Sequence, residues 1–113
     1  MSGITTHVLD TSRGRPASGV PVVLEILSED GWRELGRAAT DGDGRVRQLV
    51  PAGSSLIGGS YRLTFQTAAY FTDREIEGFY PEVSIVFEVR DAAQHHHVPL
   101  LLSPFGYSTY RGS

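Results

Sequence analysis

Four histidines and one well-placed arginine carry most of the chemistry this 113-residue chain can offer. His95, His96 and His97 stand in a row at the head of the strand-like run HHHVPLLLS. His7 lies near the opposite end in ITTHVLD, and Arg45 follows the turn Asp41-Gly42-Asp43-Gly44. There is no cysteine, which excludes disulfides, thiolate catalysis and cysteine-based zinc sites. The serines are common, but no Gly-x-Ser-x-Gly elbow occurs and no Ser-His-Asp order can be defended, so a covalent serine mechanism is disfavoured. What remains is an imidazole to take a proton from water and a guanidinium to hold an anionic oxygen.

Two metal readings compete with that chemistry. Asp41-Gly-Asp-Gly opens like a calcium loop, yet Arg45 stands where an oxygen ligand is needed, and Ala52 stands where the bidentate acid belongs. The plainer reading is a tight turn that uses glycine for positive φ and projects Arg45 from the start of a strand. His95 and His97 have a spacing that sets two imidazoles on one side of a strand, where they would serve either as metal ligands or as part of a solvated polar face. No metal or cofactor is expected. His96 points to the opposite face, and His7 is a lone histidine in its strand, a placement more often structural than functional.

The elements that must position these groups read as β-strands. The chain has the length of one domain, residues 1–113, with 40% apolar and 20% charged residues and a net charge of -3. That composition fits neither disorder nor a membrane span, and it offers no basic field for nucleic acid. A small polar partner fits better. The opening MSGITTHVLD lacks a basic segment followed by a long apolar run, so a cytoplasmic protein is expected, with a processed periplasmic form as the alternative.

Period-two alternation recurs between turn residues. Ile4, Thr6 and Val8 share one face of the first strand, and Thr5, His7 and Leu9 share the other. Val20–Leu27, Trp32–Thr40, Arg45–Val50, Tyr61–Thr67 and Val83–Val89 supply the next five strands. Residues 68–78 predict a short helix ending at Gly78. The last two strands meet at the turn Ser103-Pro-Phe-Gly. In the first of them Val98, Leu100 and Leu102 face the core while His95, His97, Pro99 and Leu101 face outward. The pattern predicts an all-β sandwich of eight strands and one short helix.

Three separated stretches, HVLDTSRGRPA, TDGDGR and HVPLLLSPFGYSTYRGS, with YFTDREIEGFYPEV between the last two, resemble the 5-hydroxyisourate hydrolases, the enzyme branch of the transthyretin-like proteins. The resemblance runs from end to end, and the terminal Tyr-Arg-Gly-Ser is its most specific element. It implies a two-sheet transthyretin-like sandwich, a homotetramer, and hydrolysis of 5-hydroxyisourate to 2-oxo-4-hydroxy-4-carboxy-5-ureidoimidazoline in urate breakdown, at sites between subunits. It implies His7, Arg45, His97 and Ser113 as catalytic residues, and His7, Arg45, Tyr110, Arg111 and Gly112 as substrate-binding residues. The carrier branch has Lys and Glu in place of His7 and Arg45, so the resemblance favours the enzymes over a small-ligand carrier. The family often has an aromatic residue where this chain has His96.

Overall fold

A computed structural model describes residues 3–113 as two packed sheets and one helix. The elements are β1 (Gly3–Asp10), β2 (Arg15–Pro16), β3 (Pro21–Ser28), β4 (Gly31–Ala39), β5 (Arg45–Val46), β6 (Gly59–Phe65), α1 (Thr67–Asp73), β7 (Val83–Val89), β8 (His95–Ser103) and β9 (Gly106–Thr109). One sheet runs β2-β1-β8-β9, with β5 also paired to β1; the other runs β4-β3-β6-β7. Alternation decides what lies between them. Ile4, Val8, Leu100 and Leu102 from the first sheet and Val22, Leu24, Leu63 and Phe65 from the second are all buried in one apolar cluster. Thr6 also faces inward, and it satisfies its hydroxyl by donating to the Val98 carbonyl at 2.6 Å.

All eight expected strands are present, and among the described residues β2 is a ninth, a two-residue strand between the first two expected strands. The expected strand over residues 45–50 stops at Val46. Leu49 is drawn into the core, and its carbonyl lies so close to Gly36 of β4 that a Cβ there would sit 2.1 Å from it. The chain therefore leaves the β1 ladder to cross the edge of the sandwich. The helix is also shorter than expected. Glu75 takes φ 57, and the N–H groups of Glu75 and Ile76 return to the carbonyls of Thr72 and Phe71, at 3.0 and 2.9 Å. Those bonds close a Schellman motif without glycine, with Ile76 packed against the core as the accompanying apolar contact. The motif ends the helix five residues before Gly78.

Helix and sheet are tied by a buried polar contact. The Asp10 carboxylate at the end of β1 accepts from the Tyr70 hydroxyl at 2.7 Å, and from the backbone N–H and hydroxyl of Ser12 at 3.1 and 2.7 Å. These bonds hold the Asp10 carboxyl below the usual carboxylate range although burial opposes them.

Candidate active site

The outer face of the five-stranded sheet carries the groups singled out by residue type. β1 and β8 run parallel, with Gly3 opposite His95, Thr5 opposite His97 and His7 opposite Pro99. On the other side of β1, antiparallel β5 sets Arg45 opposite His7. Two ladders thus bring residues from three distant parts of the chain onto one surface, where they line an open depression of about 540 Å³.

Arg45 is held by its turn. The Asp41 carboxylate accepts from the backbone N–H groups of Asp43 and Arg45 at 2.8 and 3.0 Å, and the Asp41 N–H donates to the Arg45 carbonyl at 2.9 Å. Gly44 has φ +75, and a Cβ on it would lie 2.4 Å from the Val8 carbonyl, the backbone of the strand that carries His7. Only glycine meets both demands, and the Val8 N–H secures the contact by donating to the Gly44 carbonyl at 2.7 Å. No carboxylate among the described residues pairs with the Arg45 guanidinium. Its neighbour Arg47 also lines the depression, but is engaged with Asp41 and Asp43 at 3.6 and 3.3 Å.

The C-terminal segment forms another wall. Pro99 has no N–H to donate, and it falls between the last regular rung, Leu100 opposite Thr109, and a single bridge, His97 opposite Gly112. Beyond β9 the chain is thus held to β8 by one backbone bond, from the Gly112 N–H to the His97 carbonyl at 2.8 Å. Tyr110, Gly112 and Ser113 line the depression. Gly112 lies flat against the imidazole of His97, close enough that a Cβ would sit 2.5 Å from Cδ2.

Arg111 is not among the lining residues. Alternation turns it away, and its guanidinium donates to the Gln94 side-chain oxygen at 3.1 Å. His96 is 4% exposed on the inward face, with Nδ1 3.1 Å from the Gln94 carbonyl. His95 does line the depression, but the described residues contain no group of three or more His, Asp or Glu side chains spaced to hold a metal ion. Two contributors were not singled out from sequence: Arg47, and Thr5, whose hydroxyl lies 2.8 Å from both His95 Nε2 and His97 Nδ1. Alternation already put Thr5 on the face of His7; only the pairing of β1 with β8 reveals its partners.

The electrostatics suit a base. Burial, then the Arg45 cation, then His7 and His95, push the His97 imidazole below its usual pKa. Burial and Arg45 lower that of His7 as well, against the opposing pull of the Asp43 carbonyl and the Asp41 and Asp43 carboxylates. Both rings are therefore neutral at pH 7 and able to accept a proton, beside a cation able to receive negative charge.

The fold has known counterparts. Residues 4–112 match the model of the HIUase/Transthyretin family. The chain belongs to that family. It is 49% identical over 112 residues to a probable 5-hydroxyisourate hydrolase of Caenorhabditis elegans, covering 99% of this chain and 82% of the relative. Its fold is similar to that of Klebsiella pneumoniae 5-hydroxyisourate hydrolase, with a TM-score of 0.85 and 37% identity, covering 99% of this chain and all of the other. Sea bream transthyretin, solved in complex with thyroxine, superimposes with a TM-score of 0.88 at 30% identity, over 96% of this chain and 93% of that one. The family thus includes both hydrolases and a hormone-binding protein.

Proposed function

We propose that this protein hydrolyses 5-hydroxyisourate, opening its six-membered ring in the degradation of urate. The observation that carries this reading is the convergence of His7, Arg45, His97, Tyr110, Gly112 and Ser113 on one open depression, in a chain whose relatives include 5-hydroxyisourate hydrolases over nearly its full length.

The substrate is a flat, nitrogen-rich ring, and its carbonyl must accept water. His7 and His97, both neutral, orient that water, and one of them removes its proton as the oxygen adds to the carbonyl carbon. Arg45 binds the carbonyl oxygen and stabilises the negative charge that develops there. The carbon–nitrogen bond then breaks, and the imidazolium returns its proton to the departing ring nitrogen, leaving a carboxylic acid that ionises by losing its proton to solvent. Tyr110 stacks or hydrogen-bonds along the ring, Gly112 admits the chain beside His97, and the Ser113 hydroxyl relays a proton at the rim. The scheme uses side chains alone. The depression is open on the sheet face, and we propose that a neighbouring subunit of a homotetramer covers it.

The test is direct. Freshly generated 5-hydroxyisourate is added, and loss of its ultraviolet absorbance is followed with the spontaneous rate subtracted. Turnover by the protein, reduced about a hundredfold or more in both His7→Ala and His97→Ala, is the expected result. Binding without turnover would identify a small-ligand carrier instead.

A further inference from the structure

Thr5 is the point where two imidazoles meet. Its hydroxyl oxygen is 2.8 Å from His97 Nδ1 and 2.8 Å from His95 Nε2, across 92 and 90 residues of chain. The parallel register creates this: Thr5 is paired with His97, and the residue opposite His95 is Gly3, so the His95 ring packs over a position with no side chain. A Cβ on Gly3 would stand 3.7 Å from His95 Nδ1, in ordinary contact.

A threonine hydroxyl has one proton to give and two lone pairs to receive with, and a neutral imidazole has one N–H and one bare nitrogen. With both contacts made, few arrangements exist. If Thr5 donates to His97 Nδ1, then His97 carries its proton on Nε2 and that nitrogen cannot act as a base. If Thr5 instead accepts from His97 Nδ1–H, the lone pair of Nε2 is free, and the hydroxyl proton turns to His95 Nε2 or to solvent.

Two observations favour the second arrangement. His95 Nε2, 2.8 Å from the same hydroxyl, offers an acceptor for the Thr5 proton, which leaves the Thr5 oxygen to accept from His97 Nδ1–H. Arg45 lines the same depression as His97, and a positive charge there attracts a lone pair and repels an N–H dipole. His95, exposed, can meet either demand with water.

We infer that Thr5 is a positioning residue that holds His97 in its Nδ1–H tautomer, with His95 drawing the Thr5 proton away, so that Nε2 of His97 is left bare to take a proton. The role resembles that of the third group in a catalytic triad, which orients the base without touching the substrate. It rests on the proposed assignment of His97 as a proton-transfer residue. It also gives a reason for His95, which the ring-opening scheme leaves without one. Free histidine in water favours the opposite tautomer, so the effect of Thr5 is one the isolated side chain would not show.

The experiment is nitrogen NMR on the intact protein labelled at histidine, above the imidazole titration range, where the two ring nitrogens of each neutral histidine report which one is protonated. The expected wild-type result is His97 protonated at Nδ1. Thr5→Val, which keeps the shape and removes the hydroxyl, should move His97 toward Nε2–H and lower kcat on 5-hydroxyisourate about tenfold or more, with KM little changed. Thr5→Ser should restore both the tautomer and turnover to within about threefold, and His95→Phe should fall between. His97 found as Nε2–H in the wild type would overturn the inference, as would a Thr5→Val protein whose His97 tautomer is unaltered. The wild-type spectrum decides the matter even if a variant fails to fold. A protein with the expected tautomer but no turnover would refute the proposed hydrolysis and leave the role of Thr5 standing.

Discussion

Replacing Gly112 with alanine should cost about a hundredfold in turnover while leaving the sandwich folded. The added Cβ would lie 2.5 Å from His97 Cδ2, 3.2 Å from Cγ and 3.4 Å from the His97 Cβ. Carbon atoms rest no closer than about 3.5 Å, so ring and chain must part by about 1 Å. The ring cannot easily give way, because Thr5 holds its Nδ1 at 2.8 Å on the β1 side. The C-terminal segment can, being held there by the single Gly112 N–H bond to the His97 carbonyl. Either movement displaces the imidazole or the wall formed by Tyr110 and Ser113, and a misplacement of about 1 Å is enough for a loss of about 10² in rate. The assay is initial turnover of freshly generated 5-hydroxyisourate, with circular dichroism and thermal unfolding on the same sample. Gly112 lies outside the apolar core, so the melting transition should be little altered. A Gly112→Ala protein with wild-type turnover would show that the close approach to His97 has no part in catalysis.

Three further outcomes are expected. Arg45→Glu should abolish turnover without unfolding the protein: loss of one charge-stabilising partner costs about 3 to 4 kcal/mol, and the reversed sign adds to it; activity near wild type would reassign Arg45 to the surface of its turn. The acid limb of kcat/KM should lie below the ordinary imidazole value of about 6.5, because burial first and Arg45 second depress both His97 and His7, and Arg45→Gln should move that limb upward; a limb above 6.5 in the wild type would contradict this. The same depressed values mean that the unfolded chain binds more protons than the folded one just below pH 6.5, so the contribution of these groups to stability is full above that pH and lost as pH falls toward the folded-state values. Removal of Tyr110–Ser113 should eliminate turnover and leave the proposed tetramer intact; if sedimentation instead shows dissociation in step with lost activity, the segment serves assembly rather than the site.

Local chemistry makes a large part of this molecule legible in its sequence. The alternation that puts Ile4, Thr6 and Val8 on one face and Thr5 and His7 on the other is a property of the extended backbone itself, which sends successive side chains to opposite sides. The same rule sorts His95 and His97 from His96, and Val98, Leu100 and Leu102 into the core. The Asp-Gly turn likewise announces a tight reversal that projects Arg45. The resemblance carried by the three motifs adds the two-sheet family fold. Applied past β9, alternation also turns Arg111 away from Tyr110 and Gly112, which the motif read as a unit conceals.

What only the tertiary structure decided is which of these local faces meet. Thr5 meets His95 and His97 because β1 pairs in parallel with a strand at the far end of the chain, and a shift of that register by one residue would put every outward group inside. Strand β5 ends at Val46, and beyond it Leu49 is buried in the core with its carbonyl close against Gly36 of the other sheet. The helix ends where Glu75 adopts a conformation that its residue type does not advertise. Each depends on atoms brought close by the packed chain. Periodicity is set by the geometry of each residue and its neighbours, whereas register and close approach are set by the competition of distant segments for the same space.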